Sequence, residues 1–468
     1  MICKNTEFFS SILLLADGHI ENFRNFADMK KLFIETYGCQ MNVADSEVVA
    51  AILSSDYQIC DNIKEADLIL LNTCSVRDHA EQRIRKRLNE LAFLKKKKPG
   101  LQIGLLGCMA ERIKEKLLHE ENALDFIAGP DAYRSLPALI QEATFGKTSF
   151  NVMLSTEETY DDIDPIRYDT NGISAFISIM RGCNNFCTYC VVPYTRGRER
   201  SRSAATILHE AQQLIDQGYK EITLLGQNVN SYHYEEQGEV VNFARLMEKV
   251  ALLSPQVRVR FATSHPKDIS DELIAVIAKY ENCCKYIHLP VQAGSNTMLK
   301  RMNRVYTREY YLERIATIKR MIPECSIATD IIAGFCGETE EEHQATLSLM
   351  REVGYSSAYM FKYSEREGTM AAKRFVDDIP EEVKGRRLEE IIALQQELSL
   401  ESNQKDIGKT FEVLVEGASK RSDNEYFGRN SQNKVIIFPK EDCQLGDYVQ
   451  VKVQSCSPAT LKGIIVKS

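Results

Sequence analysis

The sequence predicts an α/β protein in three parts: an open parallel-sheet domain, a larger partial (βα) barrel, and a small all-β barrel. Three observations carry this reading. Strand-like apolar runs alternate with helical patterns over residues 31–145, and do so again over residues 173–400. Between the two, an acidic stretch carries the breaker pairs Asp164-Pro165 and Asn171-Gly172. From Gln404 onward the helical periodicity stops, and short alternating runs take over with glycine-containing turns between them. A chain of 468 residues suffices for about three domains, each with its own core. The boundaries read as an extension over 1–30, domains over 31–150, 173–403 and 404–468, and an acidic linker over 151–172.

In the first domain, residues 31–36 read as a strand and 45–53 as a helix. Residues 67–72 form a continuous apolar run of the buried-strand type, followed by a charged helix over 78–94. A third strand at 101–106 leads into a helix that starts near Glu111. Strands alternating with helices imply a parallel sheet. Cys39, Cys74 and Cys108, spaced 35 and 34 residues apart, each sit just past the carboxyl end of one of these strands. That edge is where open parallel sheets bind ligands, so three thiols distant in sequence are expected to converge there. Gly38 and Gly107 directly precede two of them and permit tight turns.

The second domain shows candidate strands at 175–180, 221–225, 257–262, 285–289, 326–333 and 357–362. Six βα units suggest a full or partial barrel with its site at the carboxyl ends of the strands. The loop after the first of these strands holds a compact triad, Cys183, Cys187 and Cys190, spaced C-x3-C-x2-C. Zinc sites usually pair two arms to reach four ligands, and no fourth ligand lies at a usual spacing here. Thiolate-rich sites suit iron–sulfur clusters. Three thiolates hold a four-iron cluster and leave one iron open to an exchangeable ligand. Two such triads suggest an enzyme that starts radicals at one cluster and uses the other for a second task. The alternating runs at 410–415, 434–438 and 448–453 read as the small barrel.

Composition sets the setting. Hydrophobic content of 44% and charged content of 26% are ordinary for a soluble protein. No apolar run approaches the roughly 20 residues needed to span a bilayer. The run at 12–16 is short, lacks a basic flank and is followed by Asp17, which argues against a signal peptide. Fourteen cysteines without an export signal then point to a reducing cytoplasm where thiolates bind metal. Cys3, Cys60, Cys283, Cys284, Cys325, Cys443 and Cys456 read as inert, the adjacent pair as core packing. A net charge of −8 argues against bulk nucleic-acid affinity but allows a local basic surface. Arg196, Arg198, Arg200 and Arg202 alternate after the compact triad, and desolvating them without an anionic partner is costly, so phosphate contact is expected. Arg83, Arg85, Lys86 and Arg87 crowd one helix of the first domain, most simply as a solvated face. Lys420, Arg421, Arg429 and Lys434 lie among Tyr426 and Phe427 in the small barrel, a combination that suits unstacked RNA.

The C-x3-C-x2-C run resembles the signature of radical S-adenosylmethionine enzymes. The resemblance implies a 4Fe–4S cluster on Cys183, Cys187 and Cys190, with the cofactor's methionine part on the fourth iron and Tyr189 beside its adenine. The chain from about Lys31 to its end is similar to the methylthiotransferase family: an auxiliary-cluster domain, a radical domain and a TRAM barrel, in that order. Local wording resembles the MiaB-type branch that modifies tRNA. It includes Glu35-Thr36-Tyr37-Gly38-Cys39-Gln40-Met41-Asn42, Asn72-Thr73-Cys74-Ser75-Val76-Arg77, and the stretch from Arg181 to Arg200. The branch that acts on a ribosomal-protein aspartate typically has Pro-Lys-Asn after its first cysteine, where this chain has Gln40-Met41-Asn42.

What the resemblance implies is methylthiolation at C2 of N6-isopentenyladenosine, beside the anticodon at position 37 of tRNA. The radical cluster would abstract hydrogen from C2. A second cluster on Cys39, Cys74 and Cys108 would carry the sulfur, and a second S-adenosylmethionine would methylate it. Asn228, Gln292 and Gly334 would line the cofactor site, in Leu224-Leu225-Gly226-Gln227-Asn228, His288-Leu289-Pro290-Val291-Gln292 and Ile332-Ala333-Gly334-Phe335-Cys336-Gly337. The family usually has proline where this chain has Cys336, a change that reads as neutral to the loop. Expected partners are a tRNA anticodon stem-loop and a flavodoxin-type electron donor, with no membrane, for a cytoplasmic monomer. Alternatives are methylthiolation of threonylcarbamoyl-adenosine or of a ribosomal-protein aspartate, and a non-catalytic iron–sulfur RNA-binding protein.

Overall fold

The computed structural model describes residues 29–74, 80–113, 115–168, 171–236 and 238–466. The apolar run at 12–16, Cys3 and nearly all of the 1–30 extension lie outside the described residues. The first domain is a six-stranded, all-parallel sheet. Its strands are β1 (Lys30–Thr36), β2 (Tyr57–Ile59), β3 (Leu68–Thr73), β4 (Gln102–Gly107), β5 (Phe126–Ala128) and β6 (Ser149–Asn151), in the order β2-β1-β3-β4-β5-β6. Sequence periodicity finds β1, β3 and β4. The other three are three residues each, too short for a period to register. Every residue of β3 is buried. Its Ile69 and Leu71 pack on Ile84, Leu88 and Leu91 of helix α2 (Ala80–Lys97), while Leu68 and Leu70 pack on Val48 and Val49 of helix α1 (Gln40–Leu53). Coverage of both faces explains the unbroken apolar run.

Helix α1 starts five residues earlier than its periodicity suggests, directly after Cys39. Its buried residues run round the whole cylinder because it is clamped between the sheet and the second domain. There Met41 and Ala44 meet Phe176, Leu225 and Ala262.

The second domain is a partial barrel. Two three-stranded parallel sheets, β13-β10-β7 and β14-β15-β16, are joined by a single bridge between Val259 and Cys283. In chain order the strands are β7 (Ser174–Ser178), β8 (Met180–Arg181), β9 (Arg200–Ser201), β10 (Glu221–Leu225), the hairpin β11 (His233–Glu236) and β12 (Glu239–Asn242), β13 (Arg258–Ala262), β14 (Tyr286–His288), β15 (Ser326–Ala333) and β16 (Ser357–Lys362). The expected strand at 175–180 ends at Ser178, and Met180-Arg181 pairs instead with Arg200-Ser201. That antiparallel pair ties off the loop holding the compact triad. Helices pack on the outer face, where Ile177, Leu224, Val259 and Ile331 join the main core.

The third domain is a closed barrel of β17 (Thr410–Ala418), β18 (Glu425–Arg429), β19 (Val435–Pro439), β20 (Tyr448–Cys456) and β21 (Leu461–Ile465). Sequence alternation finds β17, β19 and β20. Gly428 and Gly463 interrupt the pattern in the other two. A Cβ at Gly428 would sit 2.0 Å from the Leu414 carbonyl oxygen, so the neighbouring strand requires glycine there.

This small barrel seats its 429–433 turn in the floor of the partial barrel. Arg258 donates to the Arg429 carbonyl at 2.7 Å and Arg260 to the Asn430 carbonyl at 2.7 Å. The Lys285 amide donates to Ser431 Oγ at 2.9 Å. Arg429 and Lys434, expected on an RNA face, serve the interior: Arg429 pairs with Glu416 and Glu221, and Lys434 with Asp406. No helix among the described residues is long and apolar enough to cross a membrane.

Candidate active site

The loop that carries Cys183, Cys187 and Cys190 is held from three sides. Gly182 has φ +78, and a Cβ there would lie 1.9 Å from the Arg198 carbonyl oxygen. The Cys183 amide donates to the Gly197 carbonyl at 3.1 Å, and the Thr188 amide and hydroxyl donate to the Met302 and Arg301 carbonyls, each at 3.0 Å. The Ala371 amide donates to the Thr188 carbonyl at 2.7 Å. Each sulfur faces a donor. Asn185 Nδ2 lies 3.5 Å from Cys183 Sγ, the Val192 amide 3.4 Å from Cys190 Sγ, and Arg304 Nη1 3.3 Å from Cys187 Sγ. Burial pushes the Cys183 thiol up to about 11 and raises Cys190 further. Tyr189 stands between two of these thiols, edge-on to Phe335 with ring centres 6.4 Å apart.

The dispersed triad does converge. Cys39 caps α1, Cys74 follows β3, and Cys108 opens helix α3 (Cys108–Ile113). A Cβ at Gly38 would fall 2.4 Å from Cys74 Cβ. A hydrogen bond with Cys74 holds the exposed Cys39 thiol down to about 6, and the Arg196 charge adds to the effect. Arg196 Nε lies 3.1 Å from Cys108 Sγ, although burial outweighs this and raises that thiol. Asn42 Oδ1 accepts from Arg196 at 3.2 Å and lies 3.7 Å from Cys39 Sγ.

The donors fit iron–sulfur clusters better than zinc. A tetrahedral zinc with bonds of about 2.3 Å draws its sulfurs to roughly 3.8 Å apart. Among the described residues, the one group of three metal-ligating side chains lying within 4.8 Å of one another is Glu340, His343 and Glu390, so neither cysteine triad is that tight. Arg386 already bonds both carboxylates of that group, which leaves little call for a cation. Burial disfavours free thiolates at Cys108, Cys183 and Cys190, and bound iron would supply the missing positive charge.

Remaining polar groups gather where a cofactor would lie. At the carboxyl ends of β10 and β13, Gln227 Oε1, Asn228 Oδ1, both amide atoms of Asn230 and Ser264 Oγ are buried without partners. Asn228 Nδ2 is fixed on Asp268 at 2.7 Å, which orients its free oxygen. Gln292 has φ +74, with its backbone bonded on both sides to β15. Gly334 has a packing reason of its own: a Cβ there would meet Lys384 Cγ at 2.4 Å. Cys336 turns inward in the same loop and is buried. Cys283 and Cys284 are buried as well, and burial raises both thiols.

The alternating arginines correct the sequence reading. Asp45 accepts from Arg181 and Arg196, each at 2.7 Å, with all three side chains buried. Arg200 pairs with Asp131 at 2.8 Å, and Arg202 with Asp161 at 3.0 Å and Glu210 at 2.7 Å. Arg196 and Arg200 join the first two domains and Arg202 binds the linker between them, instead of meeting phosphate, and only Arg198 of the four is exposed, 4.4 Å from the Phe186 ring. The acidic linker is a packed strap. Its Asp161 neutralises Arg202, Tyr160 stacks between Tyr133 and Arg181, and Arg167 bridges Glu47 and Glu210. On α2, Arg85 and Arg87 pair with glutamates, which suits the solvated-face reading. The same interface sets the two triads side by side. Helix Val192–Thr195, directly after Cys190, packs on α3, which begins at Cys108. Sequence reasoning missed Arg304 and Asp45, because their partners lie 117 and more than 130 residues away.

Three family models match in order: Uncharacterized protein family UPF0004 over 31–129, the Radical SAM superfamily over 177–350, and the TRAM domain over 404–466. Curated relatives are tRNA-2-methylthio-N(6)-dimethylallyladenosine synthases. That of Phocaeicola vulgatus is 58% identical over 93% of this chain and 96% of its own length. That of Bacteroides thetaiotaomicron is 59% identical over the same shares. The chain belongs to this methylthiotransferase family. Among solved structures, the radical S-adenosylmethionine methyltransferase TsrM of Kitasatospora setae matches with a TM-score of 0.55 at 13% identity, covering 74% of this chain and 77% of that one. That likeness is one of fold. As a methylthiotransferase the chain takes two 4Fe–4S clusters and S-adenosylmethionine. One consequence concerns the methylthiotransferase without its clusters. At about pH 7.5 Cys39 is thiolate and Cys183 is thiol, so iodoacetamide should label Cys39 first. Its labelling rate should fall as pH drops through about 6 while Cys183 stays slow. Peptide mass spectrometry showing equal rates would contradict this order.

Proposed function

We propose that the protein methylthiolates C2 of N6-isopentenyladenosine at position 37 of tRNA, in the cytoplasm and as a monomer. The observation that carries this is the pair of three-thiol sites set side by side by one buried interface. When bound, the clusters and S-adenosylmethionine supply the radical, the sulfur and the methyl group. Cys183, Cys187 and Cys190 hold the radical cluster, and Cys39, Cys74 and Cys108 the auxiliary one. Arg304 donates to Cys187 and Arg196 to Cys108, so each site has one buried cation that stabilises a thiolate. Tyr189, Asn228 and Gln292 orient the cofactor, and the partnerless polar atoms at the β10 and β13 ends support that role. Gly334 keeps the adjoining turn closed against Lys384.

A flavodoxin-type donor delivers the electron. Arg198 lies over the Phe186 ring of the cysteine loop and Lys373 over the Tyr194 ring just after it, while the Arg301 and Met302 carbonyls, the Asn303 side-chain amide and the Ala371 backbone amide bond to that loop. For tRNA, the small barrel keeps Lys420, Arg421 and Lys440 exposed, with Lys440 over the Tyr426 ring at 4.8 Å. Deleting this barrel would uncover the buried Arg260 and Glu221, so point changes are the cleaner probe. Changing Lys420, Arg421 and Lys440 to alanine should weaken anticodon-arm binding about tenfold and flatten its salt dependence. The decisive experiment is nucleoside mass spectrometry of tRNA from cells lacking the protein. Loss of the 2-methylthio derivative with accumulation of isopentenyladenosine is expected; an unchanged profile would remove the proposal.

A further inference from the structure

The lumen of the partial barrel is filled unevenly. The turn at 429–433 plugs its floor, and α1 covers the β13-β10-β7 wall with Met41 and Ala44. The opposite wall is bare. Register pairs Asp330 with Tyr359 and Ile332 with Phe361, so these four share one face. Thr329 and Ile331 lie on the other face in the core, and helix Glu381–Gln404 covers Met360 from that side. Tyr359 and Phe361 therefore face the lumen, where they are 54% and 48% exposed. Barrel interiors are normally packed with side chains, so two half-bare rings mark an unfilled slot.

We propose that this slot receives the N6-substituted adenine, with Tyr359 and Phe361 as its stacking wall; the assignment rests on the reaction proposed above. A flat, largely apolar ligand suits two rings. Beside Tyr359, at 5.6 Å between ring centres, His288 bonds Asp330 at 2.8 Å, a polar pair placed to meet the heteroatoms of a base. A backbone phosphate is poorly served here, since Lys362 lies on the opposite face of the strand and pairs with Glu381. The wall adjoins the radical site: Phe361 lies two residues before Tyr363, whose ring centre is 4.9 Å from Phe335, the ring that seats Tyr189. Ile332, next to Phe361 on the same face, adds apolar surface for a branched alkyl substituent.

Binding of the cluster-loaded enzyme to two anticodon stem-loop RNAs, with and without an N6-dimethylallyl group, tests the assignment. The prenylated RNA should bind at least about tenfold more tightly. Phe361→Ala and Tyr359→Ala should each shrink that preference to under about threefold, whereas Tyr359→Phe should keep it. A wild-type enzyme without preference, or an unchanged preference in both alanine variants, overturns the wall. So does a loss of S-adenosylmethionine binding with the RNA preference intact, which would give the slot to the cofactor. Methylthiolation by the wild-type enzyme is read separately by nucleoside mass spectrometry, so the wall can fail while the reaction stands.

Discussion

Cys74→Ala should abolish methylthiolation while leaving reductive cleavage of S-adenosylmethionine to 5′-deoxyadenosine intact. The substitution removes one thiol of the dispersed triad and touches nothing in the loop of Cys183, Cys187 and Cys190, whose contacts run to Arg301, Met302, Arg304 and Ala371. Cys187→Ala should lose reductive cleavage, and methylthiolation with it, while still transferring a methyl group to the auxiliary sulfur to give S-adenosylhomocysteine, because it removes the thiol that Arg304 supports and leaves the dispersed triad whole. Product analysis under reducing conditions checks both. Full methylthiolation by Cys74→Ala, with its auxiliary iron shown to be absent, would refute the division between the two sites.

Asp45→Ala should unfold the interface between the first two domains. It strips the shared carboxylate from Arg181 and Arg196, two arginines buried almost completely. Arg181 keeps the Pro130 carbonyl at 2.9 Å, the Tyr160 ring at 4.9 Å and a looser approach to Asp131 at 3.6 Å, none of which replaces the carboxylate. Removing one partner of a buried ion pair costs about 3–5 kcal/mol, because the remaining charge has no water to solvate it. Urea unfolding should show a lowered midpoint, and added salt should recover little because the site is dry. Iron retention at the auxiliary site should fall as well, since Arg196 Nε would lose the anchor that holds it on Cys108. A loss below about 1 kcal/mol would place the interface's stability elsewhere.

The sequence by itself determined what is local. Apolar runs and their periods located the central strands of each domain. Position just past a strand end put Cys39, Cys74 and Cys108 at one edge of a parallel sheet, because that topology leaves little freedom. The spacing of Cys183, Cys187 and Cys190 marked a single loop. Short edge strands and glycine-interrupted strands escaped, since three residues or a missing side chain leave no period to read.

Only the tertiary structure decided which charge meets which. A run of alternating arginines says that anions are near, but phosphate and carboxylate are equivalent to that argument. Asp45, Asp131 and Asp161 come from three separate segments and settle it. The same holds for Arg304 beside Cys187, for Arg429 and Lys434 turned inward, and for the bare rings of Tyr359 and Phe361. Local sequence fixes the type of side chain and its face on an element. Its partner is set by which segments the packed core brings within a few ångströms, and here Arg429 and Glu221 come from segments more than 200 residues apart.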